Sequence, residues 1–168
     1  MAYGNTTDAQ AFWTARGYSG TPTAALLEVA SAFVDGLGWR MTPAGVPASR
    51  FPGIPTDPAQ TEQWPRTGAV DVYGRDLASD AVPDAVVRAT YEAAHYEADN
   101  PGALNAAIRS DERVVREKFG SVEFQYADGG MQMAGIAPTT PVIPAVMSIL
   151  APVLSGGGNP YGITGIVA

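Results

Sequence analysis

Apolar side chains first recur at helical spacing near the N-terminus. Ala9, Phe12 and Trp13 fall on one side of a helix, and Gly17 ends the pattern. The stretch 7–10, Thr-Asp-Ala-Gln, has the form of a capping box, in which a hydroxyl and an amide satisfy free N–H groups of the first turn. These features predict a short first helix that is capped by its threonine.

A longer helical pattern follows. Thr21 offers a capping hydroxyl, and Pro22 suits the first helical position because its missing N–H has no partner there anyway. Gly36 and Gly38 end the pattern. The apolar positions between these signals have the spacing of one helical face, and they are Leu26, Ala30, Phe33 and Leu37.

Periodicity disappears over residues 39–82, a long loop rich in proline and glycine. A loop of this length is unusual in a compact domain unless it serves a function. Trp64 and Arg66 flank Pro65 near its middle, and tryptophan and arginine are typical interface anchors. We therefore name both residues as candidate partner contacts. The alternative is that Trp64 pins the loop to its own core, near residues 26–37 or 86–93, and leaves Arg66 to pair with an acidic group.

A third helix is predicted from Pro83 to the Asn-Pro-Gly stretch at 100–102. The only histidine, His95, falls opposite its apolar face, so we expect a solvent-facing ring near Glu92 and Asp99. One histidine without a nucleophile or further ligands predicts neither a catalytic base nor a metal site. The apolar face comprises Val82, Val86, Ala89, Ala93 and Tyr96.

The last third of the chain is more mixed. Residues 110–118 are polar and compatible with a helix, whereas residues 121–126 alternate as a half-buried strand does. Asp-Gly-Gly at 128–130 predicts a turn into a return strand at 131–133. Residues 141–154 predict a short helix, confined by Pro144 and Pro152, with Ile143, Val146, Met147, Leu150 and Leu154 on one face.

The predicted fold is therefore mainly α. It is a small helical bundle over residues 1–154, with the long loop 39–82, a short strand or hairpin near 121–133, and an extended C-terminal arm at 155–168. The arm begins with three glycines and is predicted to be flexible. It either inserts into another subunit or partner, which we favour, or folds back on its own domain. Its candidate contact residues are Tyr161, Ile163, Ile166 and Val167.

Charge and composition narrow the possible functions. With 17 acidic and 10 basic residues the net charge is −7, which disfavours binding to nucleic acid or to an anionic membrane. The chain has no cysteine, and neither a signal-peptide pattern nor a membrane-spanning run is visible, so we expect a soluble, unsecreted protein. The triple glycine lacks the Lys-Ser/Thr of a phosphate loop, and the acidic loop residues lack calcium-loop spacing. We predict no catalytic residue, no metal and no cofactor, and hence no enzyme.

Five stretches follow one another along the chain, and their order is informative: TTDAQAFWTARG, AALLEVASAFVDGLGW, QTEQWPRTGAVDVYG, VPDAVVRATYEAAHYEA and EKFGSVEFQYADG. Together they resemble the head-tail connector adaptor proteins of tailed phages, also called head-completion proteins. Some sequences of that family are catalogued as DnaT-like single-stranded-DNA-binding proteins. The resemblance covers about residues 5–127, and the proline-rich insert at 41–58 departs from the pattern.

The resemblance implies a structural virion protein that forms a homo-oligomeric ring, usually a dodecamer, under the portal protein. Such a ring extends the DNA channel and docks a stopper or tail protein. Genomic DNA would pass the lumen without specific binding, and no membrane is involved. The protein would reside in the virion neck, and in the host cytoplasm during assembly. Acidic charge suits such a lumen, and tethered apolar tips suit ring assembly through many weak contacts.

The alternative function is that of a DnaT-like replication accessory that binds single-stranded DNA. Such proteins combine stacking aromatics with a basic groove. The chain has aromatics, but acidic residues at 111, 112 and 117 interrupt its basic cluster at 109–118. We therefore favour the structural virion role.

Overall fold

A computed structural model of the chain describes residues 2–42, 44–105, 116–119, 122–125 and 143–154. Within these residues the fold is mainly α, as the sequence predicts. The helices are α1 (Thr6–Ala15), α2 (Ala24–Leu37), α3 (Asp84–Asp99) and α4 (Pro144–Leu150), with 3-10 turns at Ala103–Asn105 and Ala151–Val153. The centre of the bundle is α3, because α1, α2 and α4 all pack against it.

The first two helices begin at caps other than the predicted ones. Asn5 caps α1, and its side-chain oxygen accepts a hydrogen bond from the Asp8 backbone N at 2.9 Å. Thr7 is instead inside the first turn. Thr23 caps α2 through a 3.2 Å bond from the Leu26 backbone N. The predicted cap, Thr21, lies outside the helix. In both cases the cap is the extended residue three positions before the N–H that it satisfies.

The buried faces of α2 and α3 differ from the predicted stripes at three positions: Leu26, Tyr96, and Val82, which precedes α3 and is only partly buried. On α2 the buried apolar residues include Leu27 and Val34, whereas Leu26 is only partly buried. On α3 the predicted core residue Tyr96 is 37% exposed. The buried face of α3 is also wider than one stripe, because three helices contact it. It comprises Val86, Ala89, Thr90, Tyr91, Glu92, Ala93, Ala94 and Glu97.

His95 is not solvent-facing, so that prediction is wrong. Its ring stacks on Tyr18 with centroids 4.0 Å apart and meets Trp13 edge-on at 5.1 Å. The expected neighbour Asp99 lies 3.6 Å from Nδ1, whereas Glu92 bonds instead to the Tyr18 hydroxyl and to Arg16. The segment that leaves α1 covers this side of α3, and helical spacing alone could not indicate that.

The 39–82 segment contains short antiparallel pairs. Strand β1 (Trp39–Met41) pairs with β2 (Pro47–Ser49), and β3 (Ile54–Pro55) pairs with β4 (Arg66–Thr67). An isolated bridge between Val70 and Asp76 closes a tight turn further on. The long loop is therefore a chain of small hairpins and turns.

The predicted strand near 121–126 is present as β6 (Val122–Gln125), which pairs with β5 (Arg116–Phe119). The partner strand lies upstream, so the suggestion of a helix over 110–118 is wrong at 116–118. The predicted return strand at 131–133 lies outside the described residues. The predicted apolar face of α4 is confirmed at Ile143, Val146, Leu150 and Leu154, which are buried, whereas Met147 is only partly buried.

Candidate interaction surface

Trp64 is buried in its own chain. The side chain is 2% exposed and belongs to the main apolar core. Its ring meets Phe51 edge-on at 5.5 Å. Phe51 in turn lies so close to Gly38, at the end of α2, that any side chain at that glycine would overlap it. The indole therefore pins the long loop to the helical bundle, as one of the two alternatives predicts.

Two polar contacts fix the backbone beside this indole. The Tyr3 hydroxyl donates to Asp35 on α2 at 2.6 Å and accepts a bond from the Trp64 backbone N at 3.0 Å. Asp35 also accepts a 3.2 Å bond from the Gln63 backbone N. Burial is the main cause that raises the pKa of both Asp35 and Tyr3. The N-terminal segment, α2 and the loop thus share one buried hydrogen-bond network.

Arg66 is also 2% exposed, but among the described residues it does not pair with a carboxylate as predicted. Its guanidinium donates to the carbonyl oxygens of Pro52 and Gly53, both at 2.7 Å, and of Gln63 at 3.1 Å. These carbonyls lie on both sides of the β3–β4 pair. The planar fork of arginine satisfies several acceptors at once, which an ammonium group cannot do in the same geometry. Arg66 therefore holds the inner loop together.

Trp64 and Arg66 were predicted as candidate partner contacts, but both are buried in the single chain and do not lie on its surface. A partner would have to contact the loop around them, and their direct contact with one stays a prediction. The other four candidates, Tyr161, Ile163, Ile166 and Val167, lie outside the described residues.

Sequence reasoning missed the apolar residues that the loop exposes. Large apolar side chains of the described residues that are well exposed lie mainly in 39–82. The signal was available in the Val-Asp-Val-Tyr-Gly stretch at 70–74, where apolar residues sit in a turn sequence too short to bury them. These side chains are Trp39 (50% exposed), Val46 (58%), Ile54 (69%), Val70 (43%), Val72 (57%) and Tyr73 (74%).

The turn at 70–76 is built around Asp71. One carboxylate oxygen accepts from the Tyr73 and Arg75 backbone N atoms at 2.9 and 3.0 Å. The other accepts from the Arg75 guanidinium at 2.7 Å. These bonds to Arg75, the backbone bond first among them, lower the pKa of Asp71. Gly74 supplies the left-handed backbone, with φ of 77°. The turn is therefore well defined although its tip is exposed.

Exposed arginines of the helices and of this turn are matched by carboxylates. Arg16 lies 2.9 Å from Glu92, Arg75 lies 2.6 Å from Asp71, and Arg88 lies 3.7 Å from Asp84. Such pairing cancels the positive field that attracts a phosphate backbone. These arginines therefore do not form a basic groove.

In the described part of the chain, no group of three or more histidine and acidic side chains is placed to hold a metal ion. None of the described helices is long and apolar enough to cross a membrane.

The fold and surface define a small, mainly α domain that exposes apolar side chains on an ordered loop and pairs Arg16, Arg75 and Arg88 with carboxylates. Comparison with protein families then assigns it more closely. The chain belongs to the family described as "Putative DnaT-like ssDNA binding protein", which matches residues 2–165. No curated protein and no solved structure matches the chain significantly.

Proposed function

We propose that this protein is a structural adaptor subunit of a tailed-phage head-tail connector, which assembles as a homo-oligomeric ring under the portal protein. The observation that carries the proposal is the ordered loop with its exposed apolar side chains. Six large apolar residues, between 43% and 74% exposed, lie within residues 39–82. A cluster of exposed apolar groups on an ordered scaffold marks an interaction site, and Val70, Val72 and Tyr73 are such a cluster within four consecutive positions.

The charge distribution supports a structural role in a DNA channel. The net charge of −7 opposes tight contact with phosphates, and the described ion pairs place carboxylates beside Arg16, Arg75 and Arg88. A channel through which DNA slides needs low affinity, because each neutralised phosphate adds salt-dependent binding energy. The resemblance of the TEQWPRTG region to connector adaptors supports the same function.

Deletion of the protein from the phage, followed by complementation in trans, tests this proposal. A phage that lacks the protein is expected to fill its heads with DNA but to yield no tailed particles by electron microscopy. Wild-type protein supplied in trans should restore tails. The double variant Val72→Ser, Tyr73→Ser should not, although it should melt like the wild type because both side chains are exposed. Tailed particles in the absence of the protein would refute the proposal.

A second function is favoured by the family description, which names binding to single-stranded DNA. The structure offers an exposed Tyr73 whose ring lies 5.0 Å from the Arg75 guanidinium, and aromatic rings with arginine are used to stack bases. The pairing of Arg75 with Asp71 argues against this use.

Fluorescence anisotropy with a labelled oligo-dT strand separates the two functions. At about 150 mM salt we expect no binding at micromolar protein, since an acidic surface releases few counterions. Micromolar affinity that weakens steeply with salt, and that is lost in Tyr73→Ser, would establish DNA binding in place of the connector role.

A further inference from the structure

The turn at 70–76 is held in place by the C-terminal end of the described fold. The Val72 backbone N donates to the carbonyl oxygen of Pro152 at 2.9 Å. Pro152 belongs to the 3-10 turn that continues α4, and the residues after it, Val153 and Leu154, are buried. The turn and the C-terminal end of the bundle are therefore one ordered unit.

The same turn carries an apolar surface that the described residues leave uncovered. Val70, Val72 and Tyr73 are 43%, 57% and 74% exposed within four consecutive positions. The bonds of Asp71 and the Val70–Asp76 bridge hold the backbone of the turn in the conformation that leaves these side chains exposed. We call Val70, Val72 and Tyr73 the turn patch.

The chain beyond Leu154 starts next to this patch. Fourteen residues, 155–168, follow, with the sequence SGGGNPYGITGIVA. Its first six residues carry no large apolar side chain, and the eight that follow include Tyr161, Ile163, Ile166 and Val167. Six residues span at most about 20 Å, which is ample for a reversal that brings the apolar tip back to its point of departure.

We propose that residues 161–167 of the chain fold back on the turn patch of the same molecule and cover it. This is the second of the two fates that the sequence leaves open for the arm. Because the arm is covalently attached close to the patch, the molecule's own arm is favoured over the arm of a second copy. A short flexible linker gives its own tip an effective concentration in the millimolar range, well above that of a neighbouring molecule in dilute solution. The proposal concerns the free chain, and a partner that binds Val72 and Tyr73 in a ring would have to displace the arm.

Cysteine labelling of the full chain tests the proposal, because the protein has no cysteine of its own. Val72→Cys places a thiol in the turn patch, and Val46→Cys is the matched control in the β1–β2 hairpin. The two valines are 57% and 58% exposed in the described fold. Each variant is made with the native arm and with an arm that carries Ile163→Ser, Ile166→Ser and Val167→Ser, and reaction with a maleimide is timed.

With the native arm we expect the thiol at position 72 to react about tenfold more slowly than with the serine arm, which corresponds to a patch covered nine-tenths of the time. The thiol at position 46 should react equally fast with both arms. The protection should not change between about 1 µM and about 100 µM protein, because an intramolecular contact is independent of concentration.

Two results would overturn the proposal. Equal labelling at position 72 with both arms would mean that the arm does not cover the patch. Protection that vanishes on dilution would mean that the arm of a second copy covers it, which would return the arm to the assembly role. Circular dichroism of each variant would show whether the fold is intact, and Val46→Cys provides the reference rate.

Discussion

Replacing Trp64 with alanine is the most direct test of how the long loop is held. The indole is 2% exposed, contacts Phe51 edge-on at 5.5 Å, and lies 5.9 Å from the Arg66 guanidinium. Truncation removes these contacts and leaves a cavity between the loop and α2. Typical truncations of a buried tryptophan cost about 3–5 kcal/mol of unfolding free energy.

One feature of the site places the expected loss at the lower end of that range. The indole Nε1 is buried and finds no hydrogen-bond partner in the described part of the chain. An unsatisfied buried donor costs about 1–3 kcal/mol, and alanine removes that penalty together with the ring. We therefore expect Trp64→Ala to lose about 3 kcal/mol, a large part of the ~5–15 kcal/mol by which domains are usually stable.

Trp64→Phe separates the packing of the ring from the cost of the unsatisfied N–H. Phenylalanine keeps a ring opposite Phe51 but removes the unsatisfied N–H, so we expect a loss of about 1 kcal/mol or less. Trp39→Ala serves as the surface control, because Trp39 is 50% exposed on a short strand. Its loss should stay below about 1 kcal/mol.

Urea unfolding followed by far-UV circular dichroism measures all three variants, since tryptophan fluorescence changes with the substitution itself. An unchanged slope with a lower midpoint would indicate lost stability in a two-state transition. The reasoning fails if Trp64→Ala unfolds at the wild-type midpoint, or if Trp64→Phe is as damaging as Trp64→Ala. Wild-type stability combined with failed assembly would make Trp64 a partner contact.

Three further predictions concern the polar residues of the fold. Arg66→Lys should cost about 2 kcal/mol in urea unfolding, because one ammonium cannot satisfy the carbonyls of Pro52, Gly53 and Gln63; wild-type stability would show that the fork is dispensable. The wild type should have a higher free energy of unfolding than Asp71→Asn at pH 6, and this difference should shrink as the pH falls. The lowered pKa of Asp71 means that its ionised carboxylate stabilises the fold, and that this contribution is lost on protonation. An advantage that is constant down to pH 3 would contradict this. The unfolding free energy of His95→Phe should stay within about 1 kcal/mol of the wild type, because phenylalanine keeps the stack on Tyr18 and removes a buried Nε2 that has no partner among the residues described.

The helices could be predicted from the sequence because their signals are local. The pattern of α3, its start at Pro83 and its end near Asn100 all lie within one or two turns of the residues concerned. The caps of α1 and α2 were misplaced because several threonines and an asparagine compete for the same position. Only the extended backbone of Asn5 and Thr23 decides which side chain reaches the free N–H.

The burial of His95 could not be predicted, because it depends on a distant segment. Helical spacing placed its ring opposite the apolar face, where solvent was expected. Tyr18, which lies more than 70 positions away in the chain, covers that side, and its hydroxyl is fixed by Glu92 at 2.9 Å. Periodicity describes one helix, whereas burial on a central helix is set by every element that packs on it.

The long loop shows the same limit of prediction from sequence. Composition marked Trp64 and Arg66 as anchors but could not tell an anchor within the chain from one for a partner. The structure uses both internally, so their substitution damages the fold whatever the protein binds. Val72 and Tyr73 differ from these two buried residues, because their apolar side chains are highly exposed on a turn that Asp71 holds in place. Substitutions there leave the core intact, so a loss of assembly or of DNA binding in such variants can be assigned to the turn patch or to its contact with the arm.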